Sequence, residues 1–259
     1  MRGAAKSDWN PAAYNRFRDF RIRPALDLMA AVRSVGGGDV IDLGCGNGAM
    51  GHPLAERFAG HRVIGVDNSP AMLEVAEKVG GYDALEHTDI AEWTTTRAGL
   101  IYSNAALHWL GDHETLFKRL AGMLAPGGTL AVQMPHQNNA PSHRVWVSLV
   151  EELFPDRIDM DQGPGVMEPA HYHRLLSDMG QVSLWETEYY QLLGGDAPGH
   201  PVRRFTESTF ARPILDGLAT EERATLIAKY EEVMERAYPA NPDGTVLFPF
   251  RRMFFTLTV

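Results

Sequence analysis

The chain has 259 residues, of which 44% are hydrophobic and 22% are charged. That length and composition allow one large core of helices and strands. The formal net charge of −9 argues against general binding to nucleic acid. No apolar run is long enough to cross a bilayer, and residues 1–8 lack the apolar centre of a signal peptide. We therefore expect a cytoplasmic protein that has neither a nucleic-acid nor a membrane partner.

Basic residues are concentrated near the N-terminus. Residues 1–24 contain six basic and two acidic residues, which predicts a local site for anions in this acidic chain. Asn10 followed by Pro11 is typical of a helix start, and a second helix is predicted over residues 24–35. We expect these N-terminal lid helices, residues 1–35, either to pack on the domain or to close over a bound cofactor.

From residue 36 onward, apolar segments typical of strands alternate with amphipathic segments typical of helices. The predicted strands end at Asp42, Asp67, Asp89, Asn104 and Met134. Because strands and helices alternate at this spacing, we expect a parallel, doubly wound sheet. Residues 36–135 are therefore the predicted cofactor-binding core.

In the second half of the chain the alternation changes. Helical patterns predominate over residues 136–181 and 193–246, whereas residues 182–192 and 247–259 have the apolar patterns of two further strands. We expect a single domain, residues 1–259, with an α/β fold. Its sheet would be Rossmann-like, mostly parallel and seven-stranded, with a helical cap inserted near the C-terminus.

The most informative stretch is Val40–Gly48, which reads Val-Ile-Asp-Leu-Gly-Cys-Gly-Asn-Gly. It contains the only cysteine, Cys45, which we interpret as a packing residue rather than a reactive thiol. Three glycines at alternate positions lead from a buried strand into a helix, and they allow a ligand to approach the main chain. Such a loop presents N–H groups to a ligand, so this stretch predicts a site for a nucleoside-containing cofactor.

Two cofactors are compatible with these glycines. Gly46 to Gly51 matches G-x-G-x-x-G, and Asp67 follows at the distance typical of a dinucleotide dehydrogenase. Three carboxylates favour S-adenosylmethionine instead, because Asp42, Asp67 and Asp89 lie at three successive strand ends. They suit the amino acid cation, the ribose diol and the adenine amine of that cofactor, whereas they would repel a diphosphate. Ligands of open α/β sheets bind at this edge, so we predict S-adenosylmethionine.

The residues around this site resemble class I methyltransferases. The shared features are Asp-Leu-Gly-Cys-Gly-x-Gly, the acid that ends strand two, Asp89-Ile90 and Pro-Gly-Gly before strand five. Further segments resemble the trans-aconitate 2-methyltransferases, namely residues 7–11, 65–72, 103–110, 130–135, 189–190 and 248–251. The resemblance therefore runs nearly the full length of the chain. His108 is a departure, since a Gln is expected there in some relatives, although both side chains can donate a hydrogen bond.

The resemblance implies transfer of a methyl group to a carboxylate of trans-aconitate, giving the monomethyl ester and S-adenosylhomocysteine. A carboxylate is already ionised near pH 7, so no general base is needed. Catalysis would then consist of positioning and of excluding water. The predicted cofactor-binding residues are Tyr14, Arg23, Asp42, Gly44, Cys45, Gly46, Gly48, Asp67, Asn68, Ser69, Met72, Asp89, Ile90, Ser103, Asn104 and Ala105.

Residues after strands four and five are the candidates for the acceptor site. His108 and Trp109 follow strand four, where the acceptor would approach the methyl group, and His136 follows strand five. We predict these three as catalytic residues. Arginine forks suit carboxylates, and the predicted substrate-binding residues are Trp9, His108, Trp109, Gln133, Tyr172, Arg203 and Arg251.

The histidines have no spacing that indicates a metal site, so we expect no metal. The expected partner is a small tricarboxylate, bound by a monomer. One alternative keeps the fold and cofactor but methylates another free carboxylate, such as that of a carrier-bound malonyl group. A second alternative is an NAD-dependent dehydrogenase that uses the same glycines and Asp67. A third is a cofactor-binding regulator without activity, although the sequence contains no separate partner module.

Overall fold

The computed structural model describes residues 18–155, 166–195 and 197–259. The predicted start of the N-terminal lid, with the roles of Trp9 and Tyr14, lies outside these ranges. Among the described residues, no helix is both long enough and apolar enough to cross a membrane.

The described strands form one sheet, as the sequence predicts. They are β1 (Asp39–Leu43), β2 (Val63–Asp67), β3 (Ala84–His87), β4 (Ala98–Asn104), β5 (Leu124–Pro135), β6 (Gln181–Leu193) and β7 (Val246–Thr258). Their order across the sheet is β3-β2-β1-β4-β5-β7-β6. Chain order therefore reverses between β1 and β4, which is the switch point where α/β folds bind ligands. The prediction of a Rossmann-like α/β fold is confirmed.

The described helices lie between the strands in the first half of the chain and become more frequent after β5. They are α1 (Arg18–Ala31), α2 (Gly51–Arg57), α3 (Pro70–Val79), α4 (His113–Gly122), α5 (Pro141–Leu153), α6 (Pro169–Ser177), α7 (Pro201–Glu207), α8 (Arg212–Asp216) and α9 (Thr220–Ala237). A short 3₁₀-helix spans Leu107–Trp109. The prediction that a helix begins at Pro24 is wrong. The helix α1 continues through the buried Pro24, at the loss of one backbone hydrogen bond.

Local side chains explain where the helices nearest the sheet begin. Ser69 caps α3, because its hydroxyl accepts from the Met72 N–H at 3.2 Å, and Pro70 occupies the first helical position. Asp112 caps α4 in the same way, accepting from the Thr115 N–H at 3.2 Å. Both helices therefore start at points that the local sequence specifies.

Parallel pairing brings the carboxyl ends of the first strands to one edge. β1 pairs in parallel with β2 and β4, β2 with β3, and β4 with β5. β7 runs antiparallel to β5, since the N–H of Gly127 donates to the carbonyl of Val259 and the N–H of His136 donates to that of Arg251. The residues that follow β1, β2 and β4 are consequently neighbours although they are distant in the chain.

The chain divides into two compact units. Unit 1 contains the described residues up to Met134 together with Met167–Glu186 and Met253–Val259, and unit 2 contains Thr187–Arg252 and the described residues of Pro135–Val166. Unit 2 includes many of the residues that the sequence assigns to the cap.

Each unit has its own aromatic core. In unit 1, the ring of Phe117 on α4 packs edge-on against Tyr172 on α6 and Phe255 on β7, with centroids 5.7 and 5.2 Å away. In unit 2, Trp146 on α5 stacks on Tyr230 on α9 at 3.7 Å. These aromatic side chains bury large apolar areas.

Candidate functional site

The glycine loop after β1 combines one crowded and one open position. Gly48 has φ +81°, and a Cβ there would lie 2.8 Å from the Cα of Ala76 on α3. Gly46 also has a positive φ, +53°, but a Cβ at that position would meet no atom within 4 Å. The loop therefore packs tightly against α3 at Gly48 and leaves open space at Gly46, as a ligand cradle requires.

Asp67 connects this loop to the next helix. Its Oδ2 accepts a hydrogen bond from the N–H of Gly46 at 2.8 Å, and its Oδ1 accepts from the N–H of Ser69 at 2.9 Å. A carboxylate oxygen can accept more than one hydrogen bond. Asp67 can therefore hold the loop and still accept from hydroxyl groups of a ligand.

Asp42 lies behind the loop and is nearly fully buried. The hydroxyl of Tyr82 donates to its Oδ2 at 2.6 Å. Burial raises the pKa of the Asp42 carboxyl to about 7, the Tyr82 hydrogen bond lowers it, and the charge of Asp67 adds to the increase. The predicted role of Asp42 at the cation of a cofactor would therefore depend on its ionisation.

Asp89 lies in the turn that follows β3 rather than at the strand end, because β3 ends at His87. The side chain is exposed, and its Oδ1 accepts from the N–H of Ala91 at 2.9 Å. Arg119 on α4 donates to the carbonyls of Ile90, at 2.8 Å, and Trp93. This guanidinium fixes the turn that carries the predicted adenine-binding pair Asp89-Ile90.

The end of β4 supplies a third part of the same edge. The hydroxyl of Ser103 donates to the carbonyl of Leu43 at 2.7 Å and ties β4 to the start of the glycine loop. Ala105 has φ +53° and its N–H donates to the carbonyl of Gln133 at 2.9 Å. Within the described ranges, Oδ1 of Asn104 is buried without a hydrogen-bond partner. An acceptor in this state costs free energy unless a ligand pairs with it.

His108 and Trp109 lie in the 3₁₀-helix that follows β4. His108 is buried, whereas Trp109 is 39% exposed, and their rings are tilted with centroids 4.6 Å apart. The two residues thus present one buried polar ring and one exposed aromatic ring directly after the strand end. This is where the sequence predicts the acceptor.

Unit 2 contains a cavity of about 350 Å³. His136 and Arg251 both line it, together with Gln137, Tyr238 and Glu188. The guanidinium of Arg251 is half-exposed and lies 4.0 Å from the carboxylate of Glu188. The structure therefore brings together two residues that the sequence predicts separately, one catalytic and one substrate-binding.

Comparison with known proteins shows the family of this chain. Residues 40–128 match the model of a methyltransferase domain. A trans-aconitate 2-methyltransferase of Methylobacterium radiotolerans is 41% identical over 96% of this chain and 97% of its own length. One of Paracidovorax citrulli is 38% identical over 95% and 96%. The chain belongs to the trans-aconitate 2-methyltransferase family.

A solved structure supports the fold of this family member. Phosphoethanolamine N-methyltransferase 2 of Haemonchus contortus, in complex with S-adenosyl-L-methionine, has a TM-score of 0.51 over 91% of this chain and 52% of that chain. The sequence identity is 17%, so the likeness concerns the fold alone.

In this family member, many of the predicted cofactor residues collect at one edge of the sheet in unit 1. They are Asp42, Gly44, Cys45, Gly46, Gly48, Asp67, Asn68, Ser69, Met72, Asp89, Ile90, Ser103, Asn104 and Ala105. Several of these residues also have a structural role. Cys45 is buried, and burial raises the pKa of its thiol well above the usual range, so the packing interpretation is supported. Arg23 is an exposed residue of α1.

Three predicted substrate-binding residues are engaged inside the protein. Tyr172 is fully buried and its hydroxyl bonds with His113 at 2.5 Å. Arg203 donates to Glu231 at 2.8 Å and to Glu207, so two carboxylates already occupy its guanidinium. Gln133 has no exposed surface either. In this structure Tyr172 and Gln133 therefore have almost no exposed surface for a ligand, and the guanidinium of Arg203 is already paired with two carboxylates. Their direct roles at the substrate stay predictions.

Three residues that are not among the predicted site residues support the site. Tyr82 bonds to Asp42, Arg119 holds the turn after β3, and His113 donates to the carbonyl of Leu107 at 3.0 Å. None of them belongs to a motif. No local sequence pattern distinguishes these polar side chains from polar side chains that face solvent.

The glycine loop yields a matched pair of variants. Gly48→Ala should destabilise the fold, because its Cβ meets the backbone of α3. Gly46→Ala should fold, at a cost of about 1 kcal/mol for a positive φ. Its methyl group enters the open cradle, so it should weaken S-adenosylhomocysteine binding about tenfold. Thermal unfolding and titration calorimetry measure both effects. Wild-type affinity in Gly46→Ala would show that the ligand lies elsewhere.

The buried Asp42 predicts a pH-dependent stability. In the folded protein the pKa of the Asp42 carboxyl, about 7, is above its usual value of 3.8, so between these two pH values the folded protein binds more protons than the unfolded chain. Its stabilising contribution is present at low pH and is lost as the pH rises to about 7. The free energy of unfolding, measured with denaturant, should therefore rise in Asp42→Asn relative to wild type as the pH increases over this range. Above about pH 7 the difference between the two proteins should stay constant.

Tyr82→Phe provides the second arm of this test. Without the hydroxyl that lowers the pKa of Asp42, the loss of stability should extend to higher pH. Parallel curves of stability against pH for wild type and Asp42→Asn would contradict the shift.

Proposed function

We propose that this chain is an O-methyltransferase that converts S-adenosylmethionine and trans-aconitate into S-adenosylhomocysteine and a monomethyl ester. The observation that carries the proposal is the 41% identity over 96% of the chain to a trans-aconitate 2-methyltransferase. S-adenosylmethionine is the cofactor, because the chain matches a methyltransferase domain and its strand ends supply carboxylates rather than phosphate ligands.

Unit 1 offers groups that fit this cofactor. Asp67 retains acceptor capacity for the ribose hydroxyls, and Asp89 is exposed for the adenine amine. Among the described atoms, Oδ1 of Asn104 is a buried acceptor without a partner, which suits the ammonium group. Gly46 leaves the open space that the cofactor needs. When bound, the cofactor supplies a methyl group on a positively charged sulfur.

The acceptor residues have to position a carboxylate rather than activate it. A carboxylate is ionised near neutral pH, so we assign no general base. We assign His108 the role of a hydrogen-bond donor to the acceptor, and Trp109 the role of an apolar cover that excludes water. Holding the reacting atoms in line and keeping water away account for the acceleration in this proposal.

We propose that the cavity of unit 2 is a binding site for carboxylate ligands. Its volume of about 350 Å³ lies in the range of small-molecule sites. Arg251 provides a planar pair of donors that matches a carboxylate, and His136 and Tyr238 add further donors. Glu188 opposes an anionic ligand, so Arg251 would exchange its contact with Glu188 for one with the substrate.

The test of the function is transfer of a labelled methyl group from S-adenosylmethionine. Trans-aconitate is compared with cis-aconitate, citrate, isocitrate and a carrier-bound malonyl group. Preference for trans-aconitate, with a base-labile label, is the expected result. Label on the malonyl group alone would change the substrate assignment. A rise in melting temperature with NAD and none with S-adenosylhomocysteine would overturn the whole proposal.

Two variants of the unit 2 cavity should change the KM for trans-aconitate in opposite directions. Arg251→Gln removes a charge-assisted pair and should raise KM about tenfold. Glu188→Gln removes the opposing carboxylate and should lower KM. Steady-state kinetics at constant ionic strength measure both values.

Arg236→Gln is the matched control for these variants. Arg236 is an exposed arginine of α9 in the same unit and pairs with Glu232, so its replacement should leave KM unchanged. An equal rise in KM for Arg236→Gln and Arg251→Gln would indicate a general charge effect and remove the cavity from the proposal.

A further inference from the structure

The loop that carries His108 and Trp109 is bounded by two unusual backbone conformations. Ala105 at its start has φ +53° and Asp112 at its end has φ +45°, and these are the two non-glycine residues with positive φ among the described residues. Such conformations cost free energy and persist only where the surrounding structure imposes them. Residues 105–112 must therefore be held by contacts outside the loop itself.

A chain of hydrogen bonds reaches this loop from the interior of unit 1. His113, the first residue of α4, bonds through Nε2 to the carbonyl of Leu107 at 3.0 Å and through Nδ1 to the hydroxyl of Tyr172 at 2.5 Å. The N–H of Met167 donates to the same hydroxyl at 3.0 Å. Both ring nitrogens of His113 therefore have hydrogen-bond partners, and Nε2 holds Leu107, the residue directly before His108.

We call this chain of hydrogen bonds, from Met167 through Tyr172 and His113 to Leu107, the relay. The direction of each hydrogen bond in it follows from the groups at its two ends. The Leu107 carbonyl can only accept, so Nε2 of His113 carries the proton. Burial lowers the pKa of His113, and a neutral ring leaves Nδ1 as an acceptor. Tyr172 therefore donates to Nδ1 and accepts from Met167. Each donor has an acceptor, as buried polar groups require.

Aromatic packing fixes the two side chains of the relay. Phe117 lies edge-on to His113, with centroids 5.2 Å apart, and also edge-on to Tyr172. Phe255 on β7 stacks on Tyr172 at 5.9 Å. Tyr172 is fully buried and His113 nearly so, so neither ring has an open alternative position.

We propose that Tyr172 and His113 are positioning residues for the methyl acceptor. Through the carbonyl of Leu107 they hold the turn that presents His108 and Trp109 to the carboxylate being methylated. This role rests on the function proposed above for the His108–Trp109 turn. It is an alternative to the sequence-based expectation that Tyr172 touches the substrate.

The test uses variants that break the relay and keep its volume. Tyr172→Phe removes only the hydroxyl, and His113→Leu removes both ring nitrogens. Either change should lower kcat by about tenfold to a hundredfold through misplaced reacting groups. The KM for trans-aconitate and the affinity for S-adenosylhomocysteine should move by about twofold or less, because neither residue contacts a ligand.

A conservative variant and a matched control separate positioning from general stability. His113→Gln restores one N–H donor and one carbonyl acceptor, so it should recover part of the kcat that His113→Leu loses. Tyr230→Phe removes an equally buried hydroxyl in unit 2, one that donates to the Ser142 carbonyl at 2.8 Å. It should lower the melting temperature as Tyr172→Phe does and leave kcat unchanged. Equal kcat for Tyr172→Phe and Tyr230→Phe would overturn the proposal.

Hydrogen exchange tests the relay without any assumption about the reaction. Tyr172→Phe should speed exchange of the amides in residues 105–112, and Tyr230→Phe should not. If the wild-type protein methylates no carboxylate, the proposed function fails, and the exchange result alone decides whether the relay holds this turn. Unchanged exchange in Tyr172→Phe would overturn the inference even in an active enzyme.

Discussion

The hydrogen bond from the N–H of Gly46 to Asp67 is the contact on which the cofactor edge depends. A glycine loop has no side chains to hold it and much conformational freedom to lose. Asp67 ends a strand that pairs on both sides, with β1 and β3, and it also accepts from Ser69 at the start of α3. One carboxylate thereby joins loop, strand and helix, and it still has acceptor capacity for a ligand.

Hydrogen bonds from side chains to the backbone also hold the other segments at this edge of the sheet. Irregular backbone leaves carbonyls without partners in the sheet, and buried carbonyls must be satisfied by something else. Arg119 satisfies the carbonyl of Ile90 in the turn after β3, and His113 satisfies that of Leu107 in the turn after β4. Both side chains come from α4. One helix therefore supports the predicted adenine turn and the predicted acceptor turn together.

The cofactor side was the more predictable part of the candidate site. Its residues lie at strand ends, so local patterns of apolar residues and glycines place Asp42 and Asp67 at one edge. The acceptor side depends on pairs that are distant in the chain. Tyr172 is 59 residues from its partner His113, and Arg203 is 28 residues from Glu231. No local sequence pattern indicates such pairs, so the sequence alone does not show that Tyr172 and Arg203 have partners within the protein.

The sequence by itself determined the α/β fold, the approximate positions of the first five strands along the chain and the glycine loop, because these depend on apolar periodicity and on backbone freedom at single positions. Only the tertiary structure decided which polar groups remain available to a ligand. It buried Tyr172 against Phe117, paired Arg203 with two glutamates, and brought His136 and Arg251 to one cavity. The physical reason is that a buried polar side chain forms hydrogen bonds with whichever partner the packing places beside it.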